Sequence, residues 1–221
     1  MPYRSRVVHT HRMADMDAFR DEIARWAAAG GAGDTAGDLA ADLVRDLGLR
    51  TAVLLEGPSD LAAVQALAAR EDRDLTAEGV AVVSMGGAMS VGRYAGLLGP
   101  PGLGLRLTGL CDAREEPFYV RGWQRAGAAR DFHVCVADLE DEMIRALGPA
   151  RVEEVIRSED ELRPWQTFLA QPAQHGRPRQ QQLRRFLSTR KGRKIRYGGL
   201  LVEALDGARP PAPLADLLAG L

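Results

Sequence analysis

The stretch Leu54-Leu55-Glu56-Gly57-Pro58-Ser59-Asp60 contains the change of pattern that decides the fold. It ends a run of apolar residues and begins a segment with helical spacing, which is typical of a turn between a buried strand and a helix. Gly57 permits a tight turn, and Asp60 lies about one helical turn beyond Glu56. The two carboxylates can therefore face one point at the edge of a sheet, although Ser59 or Asp60 is also a suitable helix cap.

Short apolar runs alternate with helical segments through the middle of the chain. The runs, each predicted to be a strand, cover residues 51–55, 80–84, 105–111 and 132–136. The helical segments between them cover residues 60–70, 90–98 and 117–126. This alternation predicts an α/β fold, a parallel sheet with helices on both faces. In such sheets the functional groups gather at the carboxyl ends of the strands.

Helical patterns flank this alternating region on both sides. Residues 15–28 and 35–47 predict a pair of amphipathic helices separated by a glycine-rich hinge at residues 30–33. Beyond the last strand the pattern is helical again, with a last helical segment at residues 197–205, and the proline-rich segment after it predicts a linker with one or two terminal helical turns. The sequence predicts an N-terminal helical segment (1–48) and an α/β core (49–147). A basic helical part that completes the site (148–206) and a tail (207–221) follow.

The composition excludes several classes of protein. Of the 221 residues, 46% are hydrophobic and 27% are charged, as in a folded globular domain. No apolar run approaches the ~20 residues of a membrane helix, and the basic N-terminus lacks the apolar segment of a secretory signal. Cys111 and Cys135 lie in apolar runs without the spacing of metal ligands, so we expect buried free thiols. These features predict a cytoplasmic protein without a membrane partner.

Basic residues are concentrated near the C-terminus. Residues 177–196 contain nine basic and no acidic side chains, and because the whole chain carries −1, the rest carries −10. Such a segment can neutralise phosphates without reading base sequence, while a solvated helix face is the simpler alternative. The predicted nucleic-acid-binding residues are Arg184, Arg185, Arg190, Lys191, Arg193 and Arg196.

Lysine is nearly absent, since the 29 basic side chains comprise 27 arginines and only Lys191 and Lys194. An ammonium is a compact donor with a tunable pKa, which arginine cannot replace. Either lysine is therefore a candidate for chemistry, with chance survival as the alternative.

Two further acidic clusters follow predicted strands, Asp112-Ala113-Arg114-Glu115-Glu116 and Asp138-Leu139-Glu140. Together with Glu56, and in this order, they resemble the Toprim domain shared by topoisomerases, bacterial primases and the overcoming-lysogenization-defect (OLD) nucleases. The Toprim signature is a glutamate in a strand-helix turn, followed two strands later by Asp-x-Asp, and the resemblance covers roughly residues 50–145. The second aspartate falls on Arg114, so Glu115 or Glu116 is the candidate substitute.

Within the Toprim group, the chain is most similar to the OLD nucleases. It shares with them Glu-Gly-Pro-Ser-Asp at residues 56–60, the pair Gly86-Gly87 after the second strand, and the acidic cluster after the fourth. A helical insertion follows, and Lys194-Ile195-Arg196-Tyr197-Gly198 then resembles the family's Lys-Gly-Arg-aromatic-Ala pattern, with Lys191 as the competing choice. No Gly-x-x-x-x-Gly-Lys-[Ser/Thr] occurs, so we expect the ATPase of OLD nucleases to be absent and any ATPase partner to be separate.

The resemblance implies a nuclease that hydrolyses phosphodiester bonds of DNA with Mg²⁺ or Mn²⁺ as cofactor. Carboxylates from several strand ends can hold such ions, and a lysine can stabilise the charge that builds on the phosphate. The implied catalytic residues are Glu56 and Lys194. The implied metal ligands are Glu56, Asp60, Asp112, Glu115 and Glu140.

Other readings of the same residues stay open. With Arg114 marking a lost ligand, the chain could be a non-catalytic Toprim subunit that binds nucleic acid or a separate ATPase. Hydrolysis of a small nucleotide or polyphosphate is a third possibility, against which the basic segment argues. The acids at residues 138–142 also suit a helix N-terminus stabilised by its dipole.

Overall fold

The computed structural model describes residues 2–31 and 34–221, with the side chains of residues 2–10, Asp34 and Lys191 excepted. Residues 32 and 33 of the predicted glycine-rich hinge therefore lie outside the described residues. Within this range the strands are β1 (Thr51–Leu55), β2 (Val80–Ser84), β3 (Arg106–Asp112) and β4 (His133–Cys135). The α-helices are α1 (Pro2–Ala28), α2 (Asp34–Leu47), α3 (Pro58–Arg70), α4 (Val91–Leu98), α5 (Glu116–Arg125), α6 (Leu139–Leu147), α7 (Pro149–Ser158), α8 (Leu162–Leu169), α9 (Arg179–Leu187), α10 (Lys191–Glu203) and α11 (Ala212–Ala219).

The strands form one parallel sheet in the order β2-β1-β3-β4. Leu55, the last residue of β1, is paired with Ser84 at the end of β2 and with Leu110 in β3. Asp112 ends β3 opposite Cys135, which ends β4. The predicted parallel α/β sheet is confirmed, and its register brings all four carboxyl ends to one edge.

Side chains of the sheet alternate between two hydrophobic cores. In β1, Val53 and Leu55 belong to one core, which we call core A, and Ala52 and Leu54 to the other, core B. Helices α3 and α6 to α11 contribute to core A, whereas α1, α2, α4 and α5 contribute to core B. A strand buried on both faces is the reason that the apolar runs are continuous in the sequence.

The N-terminal helices cover core B through Met16, Phe19 and Ile23, which are fully buried. Arg20 of α1 also donates a hydrogen bond of 2.9 Å to the carbonyl of Val82. Since β2 is an edge strand, this bond satisfies a backbone group that the sheet leaves unpaired. Nothing among the helices of the described residues has both the length and the hydropathy to cross a bilayer.

Tyr119 of α5 joins the two central strands. Its buried hydroxyl lies 3.2 Å from the carbonyl of Leu54 and 3.0 Å from that of Leu110, and donates to this pair. Gly109 makes room for this contact, because a Cβ there would lie 3.2 Å from the Tyr119 ring and 2.5 Å from the Leu54 oxygen. The strands that lead to Glu56 and Asp112 are thereby fixed relative to each other.

The C-terminal segment differs from the predicted tail. Helix α11 buries Leu214, Leu217 and Leu218 in core A. The carbonyl of Gly220 accepts a 2.7 Å hydrogen bond from Arg106 of β3. The prolines at the start of the segment are typical of a linker, but the leucines after them have the spacing of a helix that packs on the sheet.

Candidate metal centre

Carboxylates follow three adjacent strands at the carboxyl edge of the sheet. Glu56 follows β1, Asp112 ends β3, and Asp138 and Glu140 lie where α6 begins after β4. Glu56, Asp112 and Glu140 lie at the strand ends where the sequence predicts them.

Glu56 lies in a turn that the neighbouring glycine loop supports. Its carbonyl accepts a 2.9 Å hydrogen bond from the amide of Gly87. Gly86 and Gly87 have φ angles of 71° and 129°, which favour glycine. Burial, followed by the charges of Asp60 and Glu115, raises the pKa of Glu56.

Asp60 combines a structural role with a place in the cluster. It is the third residue of α3, and its Oδ2 accepts a 3.0 Å hydrogen bond from the amide of Gly57, as in a capping box. Burial raises the pKa of Asp60, although the nearby Lys194 ammonium opposes the rise. The N-cap residue of α3 is therefore Gly57 and not Ser59 or Asp60, although Asp60 supports the cap from the third helical position. The charge of Lys194 also acts on the Asp60 carboxylate.

Asp112 is followed by Arg114, at the position of the second Toprim aspartate, and by two candidate substitutes for that aspartate, Glu115 and Glu116. Burial and repulsion from Asp138 and Glu56 raise the pKa of Asp112 to about 7. Arg114 is exposed, and Glu116 forms an ion pair with Arg130, with its Oε1 2.5 Å from the Nη2 of Arg130. The charge of Glu115 contributes to the raised pKa of Glu56, whereas Glu116 is paired with Arg130.

Glu140 is the most deeply buried acid of the edge, at 5% exposure. Its Oε1 lies 3.3 Å from Nζ of Lys194, while its Oε2 is buried without a hydrogen-bond partner among the described residues. Burial raises the pKa of Glu140 to about 7 despite the opposing charge of Lys194. A buried acceptor with an unused lone pair can take a further donor or a cation.

Lys194 reaches this cluster because of a close contact between two helices. Helix α10 begins at Lys191, six residues before the helix expected at 197, so Lys194 lies inside the helix. One turn later, a Cβ on Gly198 would come 2.4 Å from the carbonyl oxygen of Ser59 in α3. Burial lowers the pKa of Lys194, but Glu140 and the other carboxylates outweigh it and the pKa is raised, so the lysine carries its charge at neutral pH.

Asp138 is a candidate that the sequence prediction omitted. It is 9% exposed, caps α6 by accepting from the amide of Asp141 at 2.8 Å, and accepts from Nε of Arg184 at 2.6 Å. Its charge contributes to the raised pKa values of Asp112 and Glu140. The sequence signal for Asp138 is the acidic cluster Asp138-Leu139-Glu140, of which the sequence analysis predicts only Glu140 as a ligand.

Some side chains of the basic segment are paired with acids and others are free. For Arg193 the predicted role in binding nucleic acid is wrong. Arg193 is 6% exposed, donates from Nε to Glu161 at 2.8 Å and lies 4.0 Å above the Phe186 ring. It is therefore part of the interior and not of a surface for nucleic acid. The segment has no acids of its own, but the fold brings Glu161 to it from 32 residues away.

The other predicted nucleic-acid-binding residues lie at the surface to different degrees. Arg184 is bound to Asp138, and Arg196 lies 3.4 Å from both Glu159 and Glu161. Arg185 and Arg190 are exposed and form no hydrogen bond or ion pair within the described part of the chain. The side chain of Lys191 lies outside the described residues.

The chemistry of the carboxyl edge fits a divalent cation. Hard cations such as Mg²⁺ prefer oxygen ligands, and these carboxylates repel one another with a single lysine among them. The Oε2 atom of Glu140, which has no hydrogen-bond partner among the described residues, could serve as a metal ligand. Among the side chains that the structure describes, no three His, Cys, Asp or Glu residues form a group that could hold an ion.

Comparison with known proteins gives the same assignment for the α/β core. Residues 49–113 match the family model of the overcoming lysogenization defect protein-like Toprim domain. The fold resembles the C-terminal region of the Burkholderia pseudomallei OLD protein, with a TM-score of 0.55 and 21% identity over 78% of this chain and 96% of that one. The C-terminal region of the Xanthomonas campestris pv. campestris OLD protein gives 0.55 and 22% over 77% and 93%.

No curated protein matches the sequence significantly. The structural likeness alone shows the fold, and the family model adds the sequence pattern from the first strand to the residue after Asp112. The chain therefore contains a Toprim domain that resembles the Toprim domain of the OLD proteins.

Proposed function

We propose that the protein is a divalent-metal-dependent phosphodiester hydrolase that acts on DNA. The observation that carries this proposal is the position of Glu56, Asp112 and Glu140 at the carboxyl edge of one sheet, after three adjacent strands, with the Lys194 ammonium 3.3 Å from Glu140. Repulsion among the carboxylates is expected to favour the binding of a cation. A protonated lysine beside a cation site suits a substrate with a charged phosphate.

Each side chain has a distinct part in the proposed reaction. Glu56, Asp112 and Glu140 would hold Mg²⁺ or Mn²⁺, with the charge of Glu115 acting on Glu56. When bound, such an ion acts as a Lewis acid that stabilises negative charge on phosphate oxygens.

The residues around the ion position the substrate. Lys194 would donate a hydrogen bond to the phosphate oxygen that gains charge, and Glu140 would keep its ammonium directed at the site. Asp60 would hold the Glu56 turn in place through Gly57. Glu56 would accept the proton of the attacking water or bind the ion, the two roles being exclusive at one moment.

A nuclease assay tests the proposal. Wild type, Glu56→Gln and Lys194→Ala are incubated with supercoiled plasmid, single-stranded DNA and RNA in Mg²⁺ or Mn²⁺. Loss of a charged group that acts on the transition state is expected to slow cleavage by about 10²–10³-fold. Glu203→Gln is the matched control, because Glu203 is an exposed acid at the far end of α10.

Two results would count against hydrolysis. Identical products from wild type and Glu56→Gln would identify the cleavage as contamination. Complete absence of cleavage by wild type on all substrates would favour a non-catalytic role.

The alternative is a non-catalytic Toprim subunit that binds nucleic acid or a separate ATPase. Arg114 at the position of the second Toprim aspartate favours it. Under this alternative the protein binds DNA in the presence of EDTA, and neither metal nor Glu56→Gln changes the outcome of the nuclease assay. DNA binding without cleavage, measured on the same preparations, would select this function over hydrolysis.

A further inference from the structure

A cleft of about 540 Å³ lies beside the candidate metal centre. Its walls come from the start of α6 and from α9 with the segment before it. The side chains that matter are Asp138 and Asp141 on one side and Arg177, Arg184, Arg185 and Ser188 on the other. The volume is within the range of small-ligand sites in proteins.

The acids of this cleft are already satisfied. Asp138 accepts from Arg184 and from the amide of Asp141. The carboxylate of Asp141 accepts from Nε2 of Gln180 at 2.8 Å and lies 3.2 Å from Arg145. Neither acid is therefore free to neutralise a further arginine.

The remaining arginines leave the cleft positively charged. Arg185 is exposed and has no hydrogen bond or ion pair in the described residues. Arg177 is also exposed and uses its Nε to donate to the carbonyl of Ala173 at 2.7 Å, without an ion-pair partner in the same part of the chain. Guanidinium groups bind phosphate through paired N–H donors, so two uncompensated arginines at one cleft suit a phosphate.

Asp138 connects this cleft to the carboxyl edge. It lines the cleft through its contact with Arg184, and its charge also acts on Asp112 and Glu140. An anion in the cleft would therefore lie next to the candidate metal centre. In contrast, the cavity of about 470 Å³ at Arg163 and Arg190 shares no lining residue with that edge.

We propose that the cleft between α6 and α9 binds a non-scissile phosphate of a nucleic-acid strand whose neighbouring phosphodiester lies at the carboxyl edge. This inference rests on the proposed hydrolase function and adds to it a second phosphate site. Arg177 and Arg185 bind the phosphate, and Arg184 positions Asp138 between the two sites.

Binding of DNA in EDTA tests this site without requiring catalysis. The probe is a short fluorescent single-stranded DNA, and its affinity is measured by anisotropy over a series of salt concentrations. Arg177→Ala/Arg185→Ala is expected to bind about tenfold more weakly. The slope of log K against log salt should fall in magnitude by about 0.7 for one lost phosphate contact.

Arg125→Ala is the control for the loss of positive charge. Arg125 is exposed and lies on α5, on the opposite face of the sheet from α9, and the control should bind like wild type. Equal effects of the Arg125 and the double variants, or no effect of either, would overturn the proposal. Competition by inorganic phosphate at the same concentration as the DNA would also overturn it, since the site would then be one for a small anion.

The outcome is separable from that of the nuclease assay. If wild type cleaves DNA but the double variant binds it normally, the cleft proposal fails and the hydrolase stands. If the double variant loses binding while wild type never cleaves, the hydrolase fails and the cleft stands as a phosphate site.

Discussion

Asp112 and Glu140 are two carboxylates of the site whose pKa values are raised to about 7. Burial is the main cause for each. Because their folded pKa values exceed the unfolded values of 3.8 and 4.5, the folded protein binds more protons than the unfolded chain between those values and about 7. Stability from these groups is therefore present at low pH and is lost as the pH rises through this window.

We predict that Asp112→Asn reduces this loss in metal-free protein. In EDTA, the unfolding temperature of wild type should fall between pH 5 and pH 8 by more than that of the variant, because the variant lacks one of the two ionising groups. Thermal unfolding followed by circular dichroism measures the difference. Glu203→Gln should show the same change of unfolding temperature with pH as wild type. If Asp112→Asn also showed the wild-type change, the pKa of Asp112 would not be raised in the folded protein.

Single residues were predictable where a strand end determined them. Glu56 and Asp112 follow apolar runs, so their place at one edge follows from a parallel sheet. The burial of Arg193 was not predictable, since its partner Glu161 lies 32 residues away, in the connection between α7 and α8. For the same reason Asp138 could not be distinguished from an ordinary helix cap until Arg184 and Asp112 were placed around it.

At the scale of elements, the contact between α3 and α10 determines the position of Lys194. Gly198 is the point of closest approach, because a Cβ there would lie 2.4 Å from the carbonyl oxygen of Ser59. The contact is with backbone, which cannot move aside as a flexible side chain does. Gly192, in the first turn of the same helix, has open space around it.

Gly198→Ala should therefore destabilise the protein by about 1–3 kcal/mol by overpacking. Gly192→Ala, the matched control, should be neutral or stabilise by up to about 1 kcal/mol, since alanine favours helix. Urea unfolding measures both free energies. Equal stabilities of the two variants would show that α10 does not depend on this contact.

Element boundaries were predicted well for the first two strands and less well elsewhere. Strands β1 and β2 have the expected bounds, whereas β3 is shifted by one residue and β4 is shorter by one residue at each end. The early start of α10 was missed because Gly192 and the surrounding charges give no apolar periodicity. Tertiary packing against α3, and not local preference, extends that helix.

For the whole molecule, the two cores explain why the chain needs its C-terminal helices. Core A contains the aromatic group of Trp165, Phe168 and Phe186, whose ring centroids lie 5.0–5.8 Å apart. It also contains Leu217 of α11, which is 1% exposed. The face of the sheet that supports α3, and with it Asp60, is therefore covered by residues far along the chain.

Leu217→Ala should cost about 2–5 kcal/mol of unfolding free energy, as expected for a cavity in a core. Asp216→Ala, at the adjacent exposed position of α11, should change it by less than about 0.5 kcal/mol. Chemical denaturation of the two variants measures the contrast. A Leu217→Ala protein as stable as wild type would show that α11 is a tail and not part of core A.

The overall architecture was predictable because strands buried on both faces leave continuous apolar runs in the sequence. The place of α11 was not, since three leucines after a proline-rich segment suit either a linker end or a packed helix. Likewise, the basic character of residues 177–196 was visible, but which arginines remain free depends on acids in the connections before α6 and α8.

We predict that the carboxyl edge of the sheet binds a divalent cation, and titration calorimetry with Mn²⁺ at pH 8 measures this binding. Wild type and Glu203→Gln are predicted to bind Mn²⁺ alike, whereas Glu56→Gln and Asp112→Asn should each weaken binding by at least about tenfold, or about 1.4 kcal/mol. Mn²⁺ binding that is unchanged in both Glu56→Gln and Asp112→Asn would contradict the claim.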